Sequence, residues 1–187
     1  MTKTKKKSNG NSFLGTLAAL IILCVVLTVV SDKFLTYNNL MSVLKQTTFT
    51  ALLSTGMLLC LITAGIDLSV GANATFCACI CGMLVKGGMT NSFVLIVVAI
   101  VAGTLIGLIN GLLLTRLHLP HPFVSTLGMK NFLWGASLLV VSSQMVSGFP
   151  DGVMALGSST IGGFPISFIV VVVIYIIMHI LLTRTSL

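Results

Sequence analysis

From Phe13 to Val30 the chain carries no charged residue, and the same holds from Ser92 to Leu114. A helix rises about 1.5 Å per residue, so each run can cross a hydrocarbon layer of roughly 30 Å. Further apolar runs lie near Phe49–Ile62, Ala72–Val85 and Phe164–Leu182. A water-soluble fold has nowhere to bury so many continuous apolar segments. Composition agrees: of 187 residues 56% are hydrophobic and 7% charged, against about a quarter charged in soluble domains. The fold expected is an all-α polytopic membrane protein.

The order of segments follows from the same pattern. Residues 1–12 form a basic polar tail, and residues 13–187 a transmembrane domain. About six membrane segments are predicted: Phe13–Val30, Gln46–Thr63, Val70–Val85, Ser92–Leu114, Pro122–Val141 and Phe164–Leu182. The second, third and fifth stay open between full spans and half-helices or broken helices. The first is too long for a signal-peptide core and lacks a small-x-small cleavage pattern, so it is expected as an uncleaved anchor. Residues 31–46 are expected as a short amphipathic interfacial piece, Lys86–Asn91 as a turn, and 142–163 as a polar, Gly-rich loop. Pro120 and Pro122 stop any helix running through the Arg116–Pro122 connection.

Charge sets the orientation. Four of the ten basic residues, Lys3, Lys5, Lys6 and Lys7, sit in the tail. With the tail inside, Arg116 and Arg184 are inner as well, while Lys33, Lys45 and Lys86 are outer. The asymmetry favours a cytoplasmic N-terminus. It explains the net charge of +7 without nucleic-acid binding, and the tail suits anionic lipid of the bilayer.

Polar residues inside the apolar runs are the candidates for function. Gly65-Ile66-Asp67-Leu68-Ser69-Val70-Gly71 puts a carboxylate and a hydroxyl among glycines between two apolar helices. A bilayer-centred Asp costs about 2.5–3.5 kcal/mol, so it needs water, a partner or backbone N–H groups. A helix–break–helix element is predicted, with Asp67 or Ser69 capping the second helix. Two readings remain open: a hinge or lining element of a transport path, and a tight capped turn. Asn110 most simply bonds a neighbouring helix, with a transport-path role as the alternative. Lys130 must snorkel or find a carbonyl or carboxylate. Ala74, Ala78 and Gly82 form one row at four-residue spacing, and Gly103, Gly107 and Gly111 another; both are expected as helix-packing seams.

Catalysis finds little support. Cys77 and Cys81 share a helix face and Cys79 lies nearly opposite, which suits small packing residues rather than a metal or redox site. His118 and His121 flank Pro120 with no acidic neighbour, and His179 stands alone in its span. No catalytic residue, metal or cofactor is expected, and no phosphate-binding G-x-x-x-x-G-K-[ST] pattern occurs.

Taken together, these residues resemble the ribose-type sugar permeases of ATP-binding-cassette (ABC) importers. The likeness rests on Gly65–Gly71, on Asn110-Gly111-Leu112, and on Pro122-Phe123-Val124-Ser125-Thr126-Leu127-Gly128. Asn38-Asn39-Leu40, Leu156-Gly157 and Gly162-Gly163-Phe164-Pro165-Ile166 fit in the same order, so the resemblance covers about residues 38 to 187. It implies the membrane subunit of an importer for a sugar or sugar-like solute in a bacterial-type cytoplasmic membrane. It also implies partners: an ABC ATPase, an extracytoplasmic solute-binding protein, and a second permease copy or related subunit. Gly65, Asp67, Ser69, Gly71, Asn110, Thr126 and Gly128 are the transport-path or hinge residues it points to. The two prolines around His121 depart slightly from the family pattern. Family members continue past Leu187, so an N-terminal fragment or truncated product is expected. The alternative is a small stand-alone channel or membrane-assembly subunit without ATP coupling.

Overall fold

The structure, a computed structural model, describes residues 10–63, 65–116 and 122–184. The tail lysines, His118, Pro120, His121 and residues 185–187 lie outside the described residues. The elements run α1 (Gly10–Val30), α2 (Tyr37–Ile62), α3 (Val70–Lys86), α4 (Ser92–Arg116), α5 (Pro122–Val140), α6 (Asp151–Ser158), β1 (Thr160–Ile161), β2 (Phe164–Pro165) and α7 (Ile166–Arg184). Apart from the short β1–β2 pair, the regular structure of the described residues is helical, as the apolar pattern demands. Two compact units divide it, one up to Val43 and one from Leu44 onward.

In the first unit α1 is exposed along its apolar length, with Val29 and Val30 80% and 77% exposed. Lipid, not water, is the solvent such a helix requires. The turn after it prepares the next helix. Thr36 accepts a long 3.4 Å bond from the Asn39 N–H, and the Asn39 amide donates to the Phe34 carbonyl at 2.7 Å. That cap explains a correction. No separate interfacial piece precedes the second segment, because α2 starts at Tyr37 and meets no Gly or Pro before Gly56.

In the second unit α3 lies between α4 and α5 and packs most extensively on both. Its buried face carries Ala72, Cys77, Cys81 and Gly82. Ala72 and Cys77 join Ile106 of α4 and Leu133 of α5 in the apolar core. Among the described residues, three helices are long and apolar enough to cross a membrane, Phe13–Val30, Ser92–Arg116 and Ile166–Arg184. The α3 helix, at 17 residues, reaches only about 25 Å. The α2 and α5 helices have the length, 26 and 19 residues, but more polar side chains.

The stretch from 142 to 165 is not a plain loop. Ser142 and Ser143 take left-handed φ of 52° and 56°, and the Ser143 N–H reaches back to the Leu138 carbonyl at 2.9 Å to close α5. Asp151 opens α6 on the favourable side of the helix dipole. Ile161-Gly162-Gly163-Phe164 forms a hairpin whose two glycines have φ of 58° and 88°, as a two-residue type I′ turn requires. The last span accordingly starts at Ile166, two residues later than the hydropathy pattern indicates, because Phe164 and Pro165 pair with β1.

Candidate functional site

The connection between α2 and α3 is held from both ends. At the end of α2 the Cys60 carbonyl accepts the Gly65 N–H at 2.9 Å and the Thr63 hydroxyl at 2.9 Å. Those bonds satisfy a helix end that lipid could not. On the other side Asp67 Oδ1 accepts the Ser69 N–H and the Ser69 hydroxyl, each at 2.7 Å. The expected cap is therefore different in detail. Asp67 binds the residue before α3 rather than its first-turn N–H groups, and Ser69 at the cap position makes no side-chain cap bond. Ser69 has αR backbone angles, and its hydroxyl engages Asp67 and Asn110 of α4 instead.

Distant helices complete the arrangement. Asn110 of α4 donates from Nδ2 to Ser69 Oγ at 2.8 Å. Thr126 of α5 donates to the Ile66 carbonyl at 3.0 Å, with the Pro122 carbonyl of its own helix at 3.1 Å. Ser69, Asn110 and Thr126 are 1%, 4% and 2% exposed. The order of donors follows from chemistry: an ionised carboxylate only accepts, so Ser69 gives it the hydroxyl hydrogen and takes one from the Asn110 amide. Asn110 Oδ1 is thereby left buried without a partner. Around these groups lies a cavity of about 170 Å³, bordered by Thr63, Gly65, Asp67, Asn110, Pro122 and Thr126.

The small-residue rows divide. Gly103 sits against Cys77 Sγ at 3.6 Å from where its Cβ would be, and its carbonyl accepts the Asn73 amide at 3.2 Å. A Cβ at Gly107 or Gly111 would meet no described atom within 4 Å; both border the polar cavity instead. Among the described residues, then, that row makes no continuous helix seam. In α3, Ala74 and Ala78 border a second, apolar cavity of about 640 Å³. Gly82 faces Val146 of the α5–α6 connection, whose Cγ1 would stand 2.5 Å from an added Cβ.

Other predicted residues fall elsewhere. Gly71 is exposed, and its carbonyl takes the Thr75 hydroxyl at 3.0 Å. Gly128 lines a separate open hollow with Ser125 and Phe132. Lys130 is half-buried, and its side chain makes no hydrogen bond or ion pair among the described residues. Cys77 and Cys81 are buried together on one face, as their spacing predicts, with Cys79 half-buried. Asn73 was not singled out by sequence, although the signal was the one that marked Asn110: an amide within an apolar helix.

These features define the class: an integral membrane protein of several helices, with a polar break between two apolar ones. Residues 39–187 match the family of branched-chain amino acid transport system permease components, and the chain belongs to that family. The ribose import permease protein of Escherichia coli K12 is 31% identical over 147 residues, covering 78% of this chain and 45% of the relative. The D-allose transport system permease protein of the same strain is 29% identical over 167 residues, 89% of this chain and 51% of the relative. The autoinducer 2 import system permease protein of Photorhabdus laumondii is 32% identical over 143 residues, 75% and 42% respectively. The chain spans about half the length of the curated relatives it matches. No solved structure matches it.

Proposed function

We propose that this chain is membrane-spanning permease material of an ABC importer that moves a sugar or sugar-like solute into the cell. Its relatives carry ribose, D-allose and autoinducer 2 in their names. The observation that carries the reading is the convergence of Asp67, Asn110 and Thr126, from three separate motifs of the resemblance, on one break. Under this reading Gly65, Asp67 and Ser69 form a hinge that α4 and α5 hold through Asn110 and Thr126. ATP hydrolysis belongs to a separate ATPase, solute delivery to an extracytoplasmic binding protein, and the pathway is completed by a second permease copy or related subunit. The four tail lysines support a cytoplasmic N-terminus under this reading.

The test is co-expression with a cognate ATPase and binding protein, capture by a tag on this chain, and reconstitution into vesicles. The reading expects the ATPase to co-purify and to fail to do so with an unrelated membrane protein. Labelled sugar crossing the vesicle without nucleotide and without the ATPase would favour the stand-alone channel. A cysteine placed at Ser8, in a chain lacking native cysteines, should be labelled only after permeabilisation.

A further inference from the structure

The larger cavity, about 640 Å³, is a slot along the antiparallel pair α3 and α4. Two bonds fix the register of that pair: the Asn73 amide to the Gly103 carbonyl at 3.2 Å, and the Cys81 thiol to the Leu95 carbonyl at 3.4 Å. On α3 the wall is one helical stripe, Val70, Asn73, Ala74, Cys77, Ala78 and Cys81. Leu53 of α2 and Phe149, Val153 and Met154 before and within α6 close the other sides. Ala78 and Met154 are exposed, so the space is open rather than sealed. Its few polar side chains are already engaged, since Asn73 also accepts the Cys77 thiol at 3.4 Å. A sugar or a file of water would leave its hydroxyls without partners here. Left empty, a void of this size forfeits the contacts that protein interiors otherwise make.

We infer that this slot holds one acyl chain of a bilayer phospholipid, with the headgroup at the α6 end. Length and width select the occupant. From Val70 to Cys81 the α3 helix rises about 16 Å, half of a hydrocarbon layer of roughly 30 Å and so the depth of one leaflet. Spread over that length, 640 Å³ is a bore about 7 Å across, narrower than the roughly 10–12 Å of a helix with its side chains. The α6 helix also stands in the way of a further helix. A Cβ on its Gly152 would lie 2.6 Å from Ser92 Oγ at the start of α4, and Lys45 Nζ donates to the Ser158 carbonyl at its far end at 2.7 Å. Charge orients the lipid. Lys45 and Lys86 donate to neutral oxygens, of Ser158 and of the Gln144 side chain at 3.1 Å, and their side chains make no ion pair among the described residues. A phosphate at the α6 end meets those ammonium groups, whereas Asp67, three residues before Val70, repels one at the other end. The site rests on the chain's place in a membrane and not on which solute is carried.

Photolabelling tests both the occupant and its direction. The unaltered chain is reconstituted in phosphatidylglycerol vesicles carrying a trace of the same lipid with a diazirine, either at the acyl end or beside the headgroup. Cross-linked peptides are then mapped by mass spectrometry. The acyl-end probe should label the region of Val70 and Gly103, and the headgroup probe that of Phe149 to Met154, each by about fivefold over the other probe. Native mass spectrometry of the detergent-purified chain should find one phospholipid retained. Ala74→Phe, which fills the slot, should cut retention and slot labelling by about tenfold, while labelling of the exposed Val172 and Val173 of α7 stays unchanged. Slot labelling no greater than that of α7, or the reverse order of the two probes, would overturn the site. So would retention of a free fatty acid or of a second copy of the chain in place of the phospholipid. If Ala74→Phe fails to fold, Ala78→Phe takes its place, and the labelling order on the unaltered chain decides by itself.

Discussion

Two spaces border α4, one beside the α2–α3 break and α5 and the other beside α3, and they are built on opposite principles. The smaller, about 170 Å³, has Asp67, Asn110 and Thr126 at its border, where hydrogen bonds from α4 and α5 meet one made within the break. The larger, about 640 Å³, is bordered by Ala74, Ala78, Cys77, Leu95 and Gly103, with Phe149 and Val153 across from them. One is directional and intolerant of a lost donor or acceptor. The other is defined by side-chain volume, and Cys81 adds only a weak 3.4 Å bond to the Leu95 carbonyl near it. In lipid, where apolar surface gains little by leaving the solvent, the polar cluster gives orientation and the small residues give proximity.

Breaking the polar side should have the largest effect. Asp67→Leu strands the N–H and hydroxyl of Ser69, which is 1% exposed, and should destabilise the detergent-folded chain by about 3 kcal/mol. Asp67→Asn keeps an oxygen acceptor and should recover more than half of that loss. Equal thermal midpoints for the two variants would show that the break does not rely on the carboxylate bonds.

The packing side should respond to volume. Gly82→Leu collides with Val146 and should lower stability by about 2 kcal/mol. Val146→Ala in the same chain should restore part of it, whereas Ala78→Leu, at an open cavity wall, should change little. A double-mutant cycle on Gly82 and Val146 with no coupling would remove the loop from the packing account.

A smaller loss is expected for Asn110→Leu, about 1 kcal/mol by thermal unfolding. The variant removes a bond to Ser69 but also removes the unpaired Oδ1, so the two effects oppose one another. Asn110→Asp, which cannot donate to Ser69 when ionised, should be the worse of the two. The opposite ranking would put the donor count of this cluster in error.

The smallest change sharpens the division within α4. Gly107→Ala adds a methyl group where no described atom lies within 4 Å, and a helical alanine gains about 0.5–1 kcal/mol over glycine. A modest rise in midpoint is expected. Gly103→Leu, beside Cys77 and the Asn73 amide, should lower it instead. A fall for both would restore the glycine row as a single seam.

Much of the architecture was legible because hydropathy acts residue by residue. The ends of α3 and α4 fall within a residue or two of the apolar limits, since Lys86 and Arg116 stop both the helix and the oil. Asp67 and Ser69 stood out for the same local reason, as polar groups between apolar runs. The Gly162-Gly163 hairpin and α6 were harder. Their signals are a two-residue turn and an eight-residue helix inside a polar stretch, and the loop reading absorbed both.

The amino-acid sequence by itself determined that this is a helical membrane protein, where its helices break, and to which family its motifs belong. Those properties depend on runs of neighbours and on the energy of putting each residue in lipid. Tertiary structure alone decided that Asn110 reaches Ser69 across 41 positions, that Thr126 holds the Ile66 carbonyl, and that Val146 rather than another helix covers Gly82. An amide or a glycine advertises a need for a partner or for space, but the crossing of helices determines which atom answers it.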